Sequence, residues 1–407
     1  MNCRHCHSAL SLPFLDLGSA PPSNAYLDND TVTLPELYYP LKLMVCETCW
    51  LVQTEDYAGR DALFNDDYAY FSSYSRSWLA HAAAYVATMT ERFNLGENSC
   101  VVEVAANDGY LLQYVQEKSI PCYGIEPTRS TADAARSKGI EIVERFFGVE
   151  LATELAGAGR QADLIAANNV LAHVPDINDF VAGFALLLKP DGVATFEFPH
   201  LLRMVAENQF DTAYHEHYSY LSLTSVRRIF AANGLVVFDV EQLATHGGSL
   251  RVFAQRADGN RGVKAAVTAM LVAEHDAGID RPAYYAAFQQ AAEKARNDVV
   301  DFLIGAQRQS KRVVAYGAAA KGNTLLNFGG VRPDQLPYVV DLNPAKQNMF
   351  MPGTRIPIVT EDRLRDDRPD YVMILPWNLK TEIMQQLSYI REWNGQFVTG
   401  IPQLEVR

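Results

Sequence analysis

Between residues 99 and 198 the chain alternates short apolar runs with helical patterns, and few folds tolerate that alternation. Residues 99–104 (SCVVEV) read as a buried strand. A small-residue turn, 105–109 (AANDG), and a helix over 110–118 follow it. Further strands are expected at 122–125, 141–143, 163–167 and 193–198, with helices at 131–138 and 177–188 between them. Strands alternating with helices build a doubly wound parallel sheet, with ligands at the carboxyl ends of the strands. The fold class expected is therefore α/β.

The placement of acidic residues bears on which ligand such a sheet holds. A nicotinamide site calls for Gly-x-Gly-x-x-Gly after the first strand, and this chain has only Gly109 there. Instead Glu103 lies in the first strand, and Glu126-Pro127 ends the second. A carboxylate at Glu126 can accept both hydroxyls of a ribose. The turn Ala105, Asn107, Asp108 and Gly109 lets the backbone approach an amino-acid moiety, and Glu103 or Asp108 can meet its ammonium. Asn168 and Asn169 follow the fourth strand and face the same end. This is the layout of a class I S-adenosylmethionine methyltransferase. A Rossmann-like domain with incidental acids is the competing reading.

Two Cys-x-x-Cys pairs stand nearer the N-terminus, Cys3/Cys6 and Cys46/Cys49, with residues 7–45 between them. Such pairs are the usual donors of a tetrahedral structural zinc site, and a reducing compartment disfavours the alternative disulfides. His5 and His7 could replace a cysteine, although His5 sits inside a knuckle and is expected to point outward. Residues 15–18 and 38–45 read as short strands, and 21–24 (PPSN) as a loop. Cys100 and Cys122 are expected in the core.

The densest chemistry lies at 214–222 (YHEHYSYLS), which holds two histidines, one glutamate and three tyrosines without a lysine or arginine. Groups that take protons and polarise oxygens crowd acid/base sites. The competing reading is an edge strand whose tyrosines pack and whose histidines cap carbonyls. The run follows the fifth strand and so overhangs the expected donor mouth, as does His173 after the fourth. Residues 68–74, including Tyr68 and Tyr74, form an aromatic collar or lid before a helix at 78–93. Residues 245–251 (THGGSLR) offer His246, Ser249 and Arg251, the last able to meet an anion. One long helical stretch, about 263–308, leads to a second α/β unit. There the turn 317–324 (GAAAKGNT) offers Ala318, Ala319, Lys321 and Asn323 at a helix N-terminus, an anion site in outline. Asp341, Asn343 and Lys346 follow the next strand, where an acid would meet a ribose.

A chain of 407 residues implies two or three domains, and its net charge of −13 argues against a nucleic-acid partner. No apolar run reaches the ~18 residues of a membrane span, and the N-terminus lacks a secretory h-region, so a cytoplasmic protein is expected.

Taken together, the chain resembles the nucleotide-sugar C-methyltransferases that methylate C3 of 4-keto-6-deoxyhexoses. The likeness rests on the paired CxxC motifs, 70–75 (YFSSYS), Glu103-x-x-x-Asn107-Asp108-Gly109, Asn169-Val-x-Ala-His173, 214–219 (YHEHYS), 246–251 (HGGSLR) and 316–322 (YGAAAKG). One departure is Ala105, where the family usually has glycine. The resemblance implies a zinc-binding domain (1–62), a methyltransferase domain with helical linker (63–305) and a Rossmann-like nucleotide-sugar domain (306–407). It implies a monomer or weak oligomer whose partner is an NDP-linked 4-keto-6-deoxysugar. By resemblance His217 is the leading base for the C3 proton, and Tyr214 stabilises the enolate oxygen or shares that role. Glu216, His173 and Tyr68 then orient the sugar, and Lys321 with the 318–320 turn binds phosphates. A regular strand through 214–218 would turn Tyr214 and Glu216 away from His217, so an irregular loop is expected. An O- or N-methyltransferase on another small molecule and a non-catalytic zinc-stabilised binding protein are the alternatives.

Overall fold

The computed structural model describes residues 1–55 and 71–407, so Tyr68 lies outside the described residues. The described residues form three sheets. In the first, β1 (Leu12–Ala20), β2 (Tyr39–Val45) and β3 (Val52–Thr54) run antiparallel. The remaining strands of the chain, up to the last sheet, are β4 (Val101–Val104), β5 (Cys122–Ile125), β6 (Ile142–Val143), β7 (Ala162–Asn168), β8 (Leu188–Pro199), β9 (Ser219–Tyr220), β10 (Leu235–Leu243) and β11 (Ser249–Arg256). All but β9 form the second sheet, in the order β10-β11-β8-β7-β4-β5-β6, with β11 antiparallel to both neighbours.

This order explains where a ligand can lie. The chain builds outward from β4 to β6, then returns to the other side of β4 with β7. The crevice between the two halves opens at the carboxyl ends of β4 and β7. Both faces of the sheet are covered. Val101 packs with Trp78, Tyr110 and Phe253, whereas Val102 and Val104 pack with Phe180, Phe184 and Phe196. Glu103, on the Val101 face, is fully buried.

The C-terminal sheet has the order β14-β13-β12-β15-β16-β17, from β12 (Val313–Tyr316), β13 (Val339–Val340), β14 (Ile358–Val359), β15 (Tyr371–Ile374), β16 (Gln396–Thr399) and β17 (Glu405–Val406). It is parallel except for β17. The long helical stretch is a correction: it divides into Ala265–Ala277, Pro282–Tyr285 and Phe288–Arg308. Gly278 takes the left-handed conformation (φ 99°) that closes the first helix, and Pro282 can only open a new one. Helix Phe288–Arg308 lies in one core with Phe14, Leu15 and Leu43 of the first sheet and Val313, Ala315 and Leu325 of the last. No helix among the described residues is long and apolar enough to cross a membrane.

The first sheet is also tied to the chain that follows β8. Its fourth strand is β9, so the Tyr/His-rich run completes it through Val52–Tyr220 and Gln53–Ser219 pairs. Just before β9, residues 214–218 turn irregularly, as the sequence requires for Tyr214 to reach His217.

Candidate active site

The four cysteine sulfurs lie within 4.8 Å of one another, with Cys3–Cys49 at 3.5 Å and Cys6–Cys46 at 3.4 Å. A tetrahedral zinc with Zn–S of about 2.3 Å sets sulfurs about 3.8 Å apart, so the donor set fits the ion. Both knuckles are wound alike. The N–H of His7 donates to Cys3 O and that of Trp50 to Cys46 O, and each donor residue has positive φ (59° and 63°). His5 turns outward to Asn178 and His7 is exposed, leaving four thiolates and a purely structural metal. Gln53 Nε2 donates to Cys3 Sγ (3.3 Å), so the metal site is bonded directly to β3.

At the carboxyl ends of β4, β5 and β7 the structure gathers the expected donor residues. Glu126 accepts the N–H of Asn107 and of Thr128 (2.9 Å each), which aims its carboxylate. Pro127 sits between these contacts. Asp108 Oδ1 is buried without a hydrogen-bond partner among the described residues, and the buried Glu103 and Asn168 side chains meet the Tyr110 hydroxyl. Burial holds Glu103 well above the usual carboxylate range. An orphaned carboxylate oxygen beside a strand end is what an ammonium or hydroxyl-bearing ligand would satisfy, and S-adenosylmethionine offers both. The turn that approaches it is left-handed at Ala105 (φ 59°), Asn107 (49°) and Gly109 (75°), and again at Asn169 (54°). A side chain at Gly109 would also collide with Ile140 Cδ1, 2.3 Å from its ideal Cβ. Ser72 N–H donates to Asn107 Oδ1 and Ser73 N–H to Asp108 Oδ2, so the 71–74 turn is clipped to this loop. Tyr74 itself is exposed.

Beside this mouth stands His217. Its Nδ1 is 3.0 Å from the Thr212 carbonyl, which can only accept, so Nδ1 carries the proton and Nε2 the lone pair. Tyr214 Oη lies 2.8 Å from Nε2. Burial, and then the neighbouring His173, holds His217 well below the ordinary histidine range, so it is neutral at pH 7. The His173 ring lies 4.5 Å from that of His217, with Nδ1 donating to the Glu216 carbonyl (2.8 Å); burial lowers it to about 4. Glu216, expected near the sugar, is instead turned to the N-terminal loop. Its Oε1 accepts the backbone and side-chain N–H of Asn24 (3.1 Å each), and Ser23 Oγ is 3.4 Å from Oε2. His215 faces the carbonyls of Tyr39 and Pro40, while Tyr218 and Tyr220 are buried.

Several expected substrate contacts are occupied by the protein itself. Arg251 lies opposite Glu197 on β8 and Glu241 on β10, and its guanidinium reaches both carboxylates (2.7 and 3.0 Å), so the sequence reading of a free anion contact is corrected by cross-strand pairing. Ser249 Oγ donates to Thr245 O. In the C-terminal unit the Ala318 N–H donates to Asp341 Oδ2 (2.7 Å), and the Ala318 carbonyl accepts from Lys346 Nζ (2.8 Å) and Tyr26 Oη (2.6 Å). Asp341 Oδ1 takes Asn343 N–H, and Asn323 Nδ2 donates to Ser23 O. The turn expected to cradle phosphates, Ala318 and Ala319 with Lys321, is closed by these contacts on one side. Lys321 points to the other, toward Trp377 and Asn378. His246 does reach the donor end: its Nε2 is 3.1 Å from Asn169 Nδ2, and its ring packs edge-on to Trp78. Sequence reasoning missed two long-range pairs, Trp377 Nε1 donating to Asp211 Oδ2 (2.8 Å) and His81 Nε2 with Glu197 Oε2 (2.8 Å); each residue is ordinary in its local pattern.

A donor site at a β4/β7 switch point beside a buried histidine defines a class, the S-adenosylmethionine-dependent methyltransferases. Comparison with known proteins narrows it. Family models match residues 3–64 (a putative zinc binding domain), 78–240 (a methyltransferase domain) and 244–402 (a C-methyltransferase C-terminal domain). The chain is 33% identical over 404 residues to the C-methyltransferase NovU of Streptomyces niveus, covering 99% of this chain and 96% of that protein. It belongs to that C-methyltransferase family. A shorter likeness, 34% over 101 residues, joins 24% of this chain to 41% of a ubiquinone biosynthesis O-methyltransferase of Bordetella avium. Among solved structures, the magnesium protoporphyrin IX methyltransferase of Synechocystis matches 44% of this chain and 83% of its own, at 16% identity and TM-score 0.36.

Proposed function

We propose that this C-methyltransferase acts on C3 of a nucleotide-linked 4-keto-6-deoxyhexose, through an enolate formed by the His217–Tyr214 pair. The observation that carries the reading is the fixed tautomer of His217. A neutral imidazole, buried and with its lone pair on Nε2, is a base prepared to take a proton from carbon. An adjacent ketone acidifies that carbon. The Tyr214 hydroxyl relays or shares the transfer, and the proton ends on Nε2. Bound S-adenosylmethionine supplies an electrophilic sulfonium methyl for the enolate carbon. Glu103, Glu126, Asp108, Asn168 and Asn169 would hold it, with the left-handed turn at Ala105 and Asn107 allowing close approach. General-base catalysis of this kind contributes about 10²–10⁴-fold. A methyl acceptor with a hydroxyl or amine would need no ketone, and the aromatic-histidine cluster gives it no evident use. Glu216 acts at a distance, by fixing the 21–24 loop against the catalytic turn.

The test is incubation with S-adenosylmethionine and a panel of nucleotide-linked 4-keto-6-deoxysugars, with product mapping by NMR. A new quaternary or methyl-bearing C3 on one of them is expected. Methylation at oxygen or nitrogen, or of no 4-keto sugar at all, would refute the reading.

A further inference from the structure

The C-terminal unit sends one charged side chain toward the catalytic turn. Lys321 is the second residue of helix Ala320–Gly329, and its ammonium lies 4.5 Å from the Trp377 ring centroid and 3.2 Å from Asn378 Oδ1. Trp377 touches both loops that carry active-site histidines. Its Nε1 donates to Asp211 Oδ2 (2.8 Å), and Asp211 immediately precedes Thr212, the residue whose carbonyl fixes His217. Its ring packs so tightly on Gly247 that a Cβ there would meet Cη2 at 2.5 Å, and Gly247 immediately follows His246. Lys321 is thereby held against the one ring that bridges the Asp211–Thr212 turn and Gly247. Its charge is felt at both rings, after burial and, for His217, after His173. The buried Asp211 carboxylate keeps Oδ1 without a partner, and burial raises it to about 7. Burial brings Lys321 itself down to about 8, so it is mostly charged at pH 7.

We propose that Lys321 is a catalytic residue whose ammonium stabilises the negative charge on the substrate's carbonyl oxygen as the adjacent C–H bond breaks. The inference rests on the enolate reading above and assigns the oxygen's partner within it. In that step the C3–H bond breaks, its proton passes to Tyr214 Oη, and the Tyr214 hydroxyl proton passes to His217 Nε2. The C–H electron pair becomes the C3–C4 double bond, and the carbonyl pair moves onto oxygen. Lys321 exchanges no proton; it supplies fixed charge. A cation near the base is no contradiction. It penalises a lone imidazolium, which keeps His217 neutral and competent, yet the imidazolium is formed together with an oxyanion that the ammonium attracts. The alternative, a diphosphate contact, is disfavoured because the Ala318 N–H and carbonyl are closed by Asp341, Lys346 and Tyr26, while Lys321 is held on the opposite side against Trp377.

The experiment compares wild type, Lys321→Met and Lys321→Arg as full-length zinc-loaded proteins. It reads deuterium exchange at C3 in heavy water without donor, then kcat and KM for methyl transfer across pH. Lys321→Met is expected to lower both exchange and kcat about 10²–10³-fold, the loss typical of one oxyanion partner, with KM little changed. Wild-type activity should fall above pH about 8 as Lys321 deprotonates, and below the ordinary histidine range as His217 takes a proton. Lys321→Arg cannot deprotonate and should abolish the alkaline limb. Raised KM with unchanged exchange in Lys321→Met would make Lys321 a phosphate ligand and overturn the proposal, as would normal exchange and kcat. An alkaline limb persisting in Lys321→Arg overturns it too, which decides the matter even where the methionine variant folds poorly. Wild type that exchanges no 4-keto sugar would instead remove the enolate reading itself.

Discussion

Ala105 carries the plainest strain in the donor site. With φ of 59° it holds a conformation that costs a residue with a Cβ about 1–2 kcal/mol, whereas its neighbours Asn107 and Asn169 belong to the type that tolerates it. The sequence identified Ala105 as a departure from a glycine position, but a backbone angle is invisible there. Ala105→Gly should relieve the strain, offset in part by about 0.4–1 kcal/mol of unfolded-chain entropy. The net gain of up to ~1.5 kcal/mol should raise the thermal midpoint by about 1–2 °C, measured by calorimetry. An unchanged or lowered midpoint would mean that the methyl is supported by contacts that outweigh the strain. The same scale explains His217. Its position in the run was legible, whereas its tautomer follows from a carbonyl five residues upstream.

At the scale of elements, the run from Tyr214 to Ser222 performs two tasks in sequence. Its first part is an irregular turn that holds His217 against Tyr214. Its second part, β9, is an edge strand of the zinc-bearing sheet. The edge-strand reading of the run describes β9 and the histidines held on carbonyls, and the acid/base reading is the one proposed for the turn before it. The partner was not legible, since periodicity reports which face is apolar and never which distant strand completes a sheet. The link has a consequence. Cys3 Sγ is bonded to Gln53, Gln53 pairs with Ser219, and Thr54 N–H donates to Tyr218 O (3.2 Å). Removing zinc with a chelator should loosen 214–220 while β4 and β5 stay protected. Hydrogen–deuterium exchange by mass spectrometry reads this directly: peptides over 214–220 should exchange faster in the apo-protein. Equal protection with and without metal would show that the knuckles support only their own sheet. The turn at 317–324 teaches the converse. It has the composition of an anion cradle, but Asp341 at the next strand end reaches it first.

Across the whole molecule, three sheets meet at the carboxyl end of the central one, and each contributes to the same small region. In the proposed site the central sheet would supply Glu103, Glu126 and Asn169 and the C-terminal unit Lys321 and Trp377, while the zinc-bearing sheet pairs with β9 just after the 214–218 turn. The strand–helix alternation made the central and last sheets legible, and the paired cysteines did the same for the metal site. Their mutual arrangement was not, because contacts such as Trp377 with Asp211 join residues with no local pattern in common. In the proposed reaction His217 is the proton acceptor. His217→Asn tests it, since an asparagine amide can still donate to the Thr212 carbonyl while lacking a basic nitrogen. With a 4-keto substrate in heavy water and no donor present, wild type should wash deuterium into C3. The variant should lose that exchange by about 10²-fold or more while binding S-adenosylmethionine with unchanged affinity. Exchange at the wild-type rate in His217→Asn would contradict the account.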